Sequence, residues 1–123
     1  MRIYVAHSGK FDFHKELYKP LEESSLSKDH IFFFPEKDQN KIINTNKILE
    51  NEIDLLIAEV SFPATGLGIE IGRAEAYNVP ILCVYKKGHE FSQSVKFATN
   101  NFLEYENDAD LIDKISKFIS SLY

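Results

Sequence analysis

Two runs in this chain, Leu55-Leu56-Ile57-Ala58-Glu59-Val60 and Ile81-Leu82-Cys83-Val84-Tyr85, are apolar almost without interruption. A strand with one wet face alternates polar and apolar side chains, whereas a strand covered on both faces has no reason to. Such runs mark the middle of a parallel sheet that carries helices on either side. Three further runs rich in β-branched and aromatic residues read as strands: Arg2–Ala6, His30–Phe34 and, more weakly, Phe102–Tyr105.

The segments between them have helical length. Phe13–Leu21 repeats apolar residues every four positions, at Phe13, Leu17 and Leu21, and Ile43–Ile53 carries a rougher stripe of Ile43, Ile48, Leu49 and Ile53. Gly66–Tyr77 reads as a third helix, ended by Asn78 before Pro80. In it Gly68 and Gly72, four apart, are expected to lay a side-chain-free strip against the sheet. The C-terminal helix opens on Asn107-Asp108, a good cap, and puts Leu111, Ile112, Ile115, Phe118, Ile119 and Leu122 on one face. Strands alternating with helices, joined by right-handed crossovers, give an α/β fold. The expectation is a flavodoxin-like or Rossmann-like three-layer sandwich around a five-stranded parallel sheet of order 2-1-3-4-5. A chain of 123 residues makes this one domain, residues 1–123.

Charge and cysteine usage narrow the function. The net charge is −5, with no basic block and no basic stripe interleaved with aromatics, which argues against nucleic acid as a partner. A small anion is still open, because helix N-termini bind anions locally. The single cysteine, Cys83, lies inside an apolar run and reads as core. The four histidines show no ligand spacing, so no metal and no cofactor is expected. The start of the chain is too soon polar for a signal peptide, and no apolar stretch nears the ~18 residues of a membrane span. The expected location is the cytoplasm, with no membrane partner.

In open parallel sheets, ligands bind beyond the carboxyl ends of the strands, where the connections change direction. The segments there are His7–Asp12, Pro35–Asp38, Ser61–Glu70 and Lys86–Ser94, with the polar stretch Lys37–Asn46 read as a surface loop on that edge. The third is the most informative: Ser61-Phe-Pro63-Ala-Thr65-Gly66-Leu-Gly68-Ile-Glu70-Ile-Gly72-Arg73. Pro63 and Gly66 shape a tight turn, and Gly66 and Gly68 let a ligand approach a helix N-terminus. Glu70, flanked by Ile69 and Ile71, is expected in the first turns of that helix, its ionised form favoured by the dipole. It has two readings: a positioned nucleophile, or an acid that satisfies first-turn N–H groups or pairs with Arg73. The spacing G-x-G-x-x-x-G is not the dinucleotide fingerprint, and it follows the third strand rather than the first.

These residues, Asp54 to Arg73 together with Asn78-Val-Pro80-Ile-Leu-Cys-Val-Tyr, resemble the core of the nucleoside 2-deoxyribosyltransferases, and more closely their 2'-deoxynucleoside 5'-phosphate N-hydrolase subgroup. The likeness covers residues 54–95 and the first strand, while residues 9–50 match only in layout. It implies N-glycosidic cleavage or base exchange on a (deoxy)ribonucleoside or its 5'-monophosphate, with Glu70 attacking the anomeric carbon to form a glycosyl ester. By the same resemblance Tyr4 touches the sugar and the nucleophile. Ser8 matches a first-loop serine or glycine, and Ser94 a serine that reaches the 5'-phosphate bound to a neighbouring subunit, which implies a homodimer. Gly66 and Gly68 shape the sugar or phosphate subsite.

Three positions depart from the pattern. His7 stands where a glycine is usual and offers either a base-contacting or acid/base group or a plain loop histidine. Thr65 supplies the hydroxyl where the phosphate hydrolases carry a serine. Asn46 falls where an aspartate helps protonate the leaving base; it can orient the sugar but cannot donate as an acid. Glu36, Asp38 or Glu50 takes over that role, or the chain is a non-catalytic nucleotide sensor. A pure interaction module is the third class, resting on aromatic content such as Phe32-Phe33-Phe34, a run that reads more simply as a buried strand.

Overall fold

The computed structural model describes residues 1–37 and 45–122; Asp38, Ile43 and the rest of residues 38–44 lie outside the described residues. The strands are β1 (Arg2–His7), β2 (Ile31–Phe33), β3 (Leu55–Glu59), β4 (Ile81–Lys86) and β5 (Phe102–Tyr105). They form one parallel sheet of order β2-β1-β3-β4-β5, the order expected.

The continuous apolar runs of β3 and β4 are divided by the two-residue period of a strand. Ile3, Val5, Leu55, Ile57, Leu82 and Val84 face one layer. It is built from the segment leading into α1 (Lys19–Glu23), from α2 (Leu26–Asp29) and from α5 (Asp108–Ser121). Tyr4, Ala6, Leu56, Ala58, Ile81 and Cys83 face the other, built from α3 (Thr45–Asn51) and α4 (Thr65–Ala76). The first helix starts as a single π-helical turn, His14–Tyr18. Pro20 has no N–H to continue an ordinary ladder at that point. Asn107 caps α5 by accepting from the Asp110 N–H at 2.9 Å. Asn78, at φ 59°, takes the left-handed turn that closes α4.

Three expectations change. Phe32-Phe33-Phe34 is half-buried, and Ile31 is 60% exposed, because β2 is an edge strand. Leu122 lies past the end of α5 and is 42% exposed, so it does not join the face of Leu111, Ile115 and Ile119. Gly68 and Gly72 do not press on the sheet. Both are exposed, and a Cβ at either would meet nothing within 4 Å. The sheet-facing positions of α4 are Leu67, Ile71 and Ala74, which set the helix at ordinary side-chain distance.

Candidate active site

Glu70 is the sixth residue of α4, one turn beyond the free N–H groups, and no acid sits in the first turn. Its carboxylate instead accepts the phenol O–H of Tyr4, a residue of β1 buried beneath α4. The Thr45 hydroxyl, at the start of α3, also bonds to Tyr4. The reading in which Glu70 merely caps its own helix therefore fails on geometry.

Tyr4 and Glu70 lie in a cavity of about 300 Å³ together with His7, Pro35, Glu36, Thr45, Gly66 and Ile69. The cavity sits beyond the carboxyl end of β1, between the loop after β2 and α4, which follows β3; β1 and β3 are the strands between which the sheet order reverses direction. Ile69, 50% exposed, forms an apolar side of its mouth. Burial raises the pKa of Glu70, and the nearby Glu36 charge adds to the rise; the Tyr4 O–H and Arg73 oppose it. Burial thus works against the ionised form that a helix N-terminus is expected to favour. Burial and the Glu70 charge also hold the Tyr4 phenol well above its ordinary value, so it stays protonated as a donor. A desolvated carboxylate held by one neutral donor is a strong nucleophile for an electron-poor carbon.

His7 is buried with both ring nitrogens engaged. Nδ1 lies 2.9 Å from the Ser8 carbonyl, which can only accept, so Nδ1 carries the hydrogen. Nε2 then accepts from the Tyr18 hydroxyl at 2.5 Å. Burial lowers the His7 pKa, and the ring stacks on Phe13 with centroids 4.2 Å apart. His7 is a neutral wall of the cavity, and its acid/base reading has no free nitrogen to work with. Tyr18 in turn accepts the Glu36 backbone N–H at 3.2 Å, which ties the β2 loop to the same cluster.

The other expected residues lie elsewhere. Ser8 is buried in the turn after β1, its Oγ accepting the Lys10 N–H at 3.0 Å, and it does not line the cavity. Asn46 accepts the Tyr77 hydroxyl at 2.8 Å and does not line the cavity either. Thr65, Gly68 and Ser94 border a larger, mostly apolar groove of about 620 Å³ on the opposite flank of α4. That groove also takes in Lys10, whose Nζ donates to the Pro63 carbonyl at 2.8 Å.

Sequence reasoning passed over Thr45, Ile69 and Glu59. Glu59 is fully buried at the end of β3, accepting from the Ser61 N–H at 2.6 Å and from the Tyr105 hydroxyl. The Ser61 Oγ accepts the Lys86 N–H at 2.7 Å, so Glu59 anchors the loop that delivers α4 to β4 and β5. Its only signal was an acid inside an apolar run. Among the described residues no group of three or more His, Cys, Asp or Glu is placed to hold a metal. Nor is any helix among them long and apolar enough to cross a membrane.

Fold and site together define a doubly wound α/β protein with a carboxylate–tyrosine cavity at its switch point. No family model matches the chain. It is 56% identical over 43 residues to a Syntrophotalea carbinolica protein named "Putative 2'-deoxynucleoside 5'-phosphate N-hydrolase 1", covering 35% of this chain and 30% of that one. A Methanosarcina barkeri protein of the same name is 39% identical over 72 residues, 56% of this chain and 45% of the relative. The 5-hydroxymethyl-dUMP N-hydrolase of Rattus norvegicus is 35% identical over 68 residues, 55% of this chain and 36% of the relative. The chain thus spans from under a third to about half the length of these relatives. The solved structure of the Clostridium botulinum CMP N-glycosidase BcmB superposes with a TM-score of 0.64 over 94% of this chain and 99% of that one. At 20% identity, that likeness shows a shared fold. In sequence the chain is thus similar to proteins named as 2'-deoxynucleoside 5'-phosphate N-hydrolases, and it shares its fold with the CMP N-glycosidase.

Proposed function

We propose that this chain is an enzyme that cleaves the N-glycosidic bond of a (deoxy)ribonucleoside or its 5'-monophosphate, with Glu70 as the nucleophile. The observation that carries this reading is the buried Glu70 carboxylate accepting from Tyr4 inside a cavity at the sheet's switch point. The names of the relatives point to the same bond. Glu70 attacks the anomeric carbon as the C1'–N bond breaks, and the glycosyl ester then passes to water or to a second base. Tyr4 keeps its proton throughout, orienting the attacking oxygen and steadying the carboxylate that returns.

The 620 Å³ groove supports a homodimer. Its floor carries the exposed Gly68 and Gly72, where a partner backbone meets no side chain, and its rim carries Ser94. Beside it the short 3-10 helix Gln93–Phe97 ends on Phe97, 91% exposed. A second copy seated there would bring its own segment towards Thr65 and Ser94.

The test is base release, followed by chromatography, from a panel of nucleosides and 5'-monophosphates, with wild type and Glu70→Ala side by side. Base freed by wild type and not by the folded variant is the expected result. If neither frees base, with or without an acceptor base, while a nucleotide raises the melting temperature, the chain is a nucleotide sensor. Analytical ultracentrifugation of wild type and Gly68→Trp checks the dimer.

A further inference from the structure

Cleaving an N-glycosidic bond hands its electron pair to a base nitrogen, and that nitrogen leaves far more readily once protonated. Among the described residues, four titratable side chains line the cavity: Tyr4, His7, Glu36 and Glu70. The Tyr4 hydrogen is committed to Glu70. The His7 hydrogen is committed to the Ser8 carbonyl, and its other nitrogen is filled by Tyr18. Glu70 must be a carboxylate to attack. Asn46 neither titrates nor reaches the cavity, because its side chain accepts from Tyr77 at the far end of α4.

Among the described residues Glu36 is left. Its backbone N–H donates to the Tyr18 hydroxyl at 3.2 Å, it lines the cavity from the β2 side, and its charge is felt at both Glu70 and His7. It is exposed to solvent.

We propose that Glu36 is the catalytic acid and base of this site, in the role for which the chain has no aspartate at position 46. The proposal rests on Glu70 being the nucleophile. In the first step the Glu36 carboxyl gives its proton to the base nitrogen. The C1'–N pair goes to that nitrogen, and a Glu70 oxygen bonds to C1'. In the second step the Glu36 carboxylate takes a proton from water, the water oxygen bonds to C1', and the ester pair returns to Glu70. Two carboxylates facing one sugar, one attacking and one carrying protons, are what a retaining glycoside cleavage requires.

The test compares wild type with Glu36→Gln, which keeps size and polarity but cannot carry the proton. The substrates are 5'-monophosphates, in ribo and deoxy forms, whose bases differ in basicity. They include 7-methylguanine, which leaves uncharged without a proton. Glu36→Gln is expected to slow release of the unmodified bases by about 10²–10⁴-fold. Rates are read in the first turnover, with enzyme in excess, because the second step is common to every substrate; there release of 7-methylguanine should slow by no more than ~3-fold, so that the variant's rates fall more steeply than wild type across the panel. Melting temperature confirms that the variant is folded. Equal slowing of every leaving group, or rates within ~2-fold of wild type, overturns Glu36 as the acid and leaves Glu70 standing. A wild type that frees no base from any of the panel overturns Glu70 as nucleophile, and the Glu36 role with it.

Discussion

Replacing Tyr4 with phenylalanine removes one oxygen and little else. Tyr4 is fully buried, so its ring packing survives in the variant. What is lost is the hydrogen bond to Glu70. A bond to a charged partner contributes about 1.5–3 kcal/mol, and the part-buried setting of Glu70 places this one in the lower half, about 1.5–2 kcal/mol. The Thr45 hydroxyl loses an acceptor as well, but Thr45 is only half-buried and water replaces it. For 123 residues, 1 kcal/mol corresponds to about 4 °C in Tm, so Tyr4→Phe should melt about 6–8 °C below wild type at neutral pH.

The pH dependence separates this account from a general loosening of the core. Donation by Tyr4 favours the ionised form of Glu70 and opposes the upward shift that burial imposes. The bond to the charged form is therefore present above the pKa of Glu70 and lost as pH falls through it, a window lying above the ordinary carboxylate range. Below that window the gap in Tm between wild type and variant should narrow to that of a neutral bond, about 0.5–1 kcal/mol. The acid limb of the base-release profile should move to higher pH in the variant, because more alkali is needed to ionise Glu70. Calorimetry across the carboxylate range and a pH–rate profile provide the two readouts. A Tm gap that stays constant with pH, or an acid limb that stays put or moves down, would refute the reasoning.

Other consequences follow from the same geometry. Glu70→Gln should abolish base release yet stabilise the fold at neutral pH by about 0.5–2 kcal/mol, since the folded state keeps a desolvated carboxylate there. The gain should vanish below the ordinary carboxylate range, where wild type is protonated folded and unfolded alike; pH-dependent melting reads it. Asn46→Asp keeps the acceptor for Tyr77 and lies outside the cavity, so base release should change less than ~3-fold. Gly72→Ala adds a methyl group that meets open space on an exposed helix face, and should stabilise the protein by about 0.5–1 kcal/mol in urea denaturation.

How much of this was legible beforehand differs from residue to residue. The strands, the parallel α/β class and the identity of the third loop followed from local pattern, because unbroken apolar runs, turn residues and caps are chemistry of neighbours along the chain. Glu70 stood out through its flanking isoleucines and glycines, and its segment carried the resemblance. The partner of Glu70 was another matter: Tyr4 is 66 positions away, and the pairing is set by how β1 passes beneath α4. Glu36 lay in a segment marked for inspection, but only the closing of the β2 loop onto Tyr18 brings it to the cavity.

The glycines mark the limit most plainly. From spacing, Gly68 and Gly72 form a strip that fits the sheet or solvent equally well, since a glycine buries no side chain that would decide the matter. Leu67, Ile71 and Ala74 decided it by taking the sheet-facing side of α4. The same rotation sent Thr65 and Gly68 to the groove and Glu70 to the cavity. The sequence by itself determined the parallel α/β architecture and the loop on which the carboxylate stands, because each depends on residues close together in the chain. Which flank of α4 a residue faces, whether Asn46 meets Glu70 or Tyr77, and whether burial works against the ionised form of Glu70 were decided by the tertiary structure alone. Those outcomes depend on helix rotation and desolvation, and both are products of packing between distant segments.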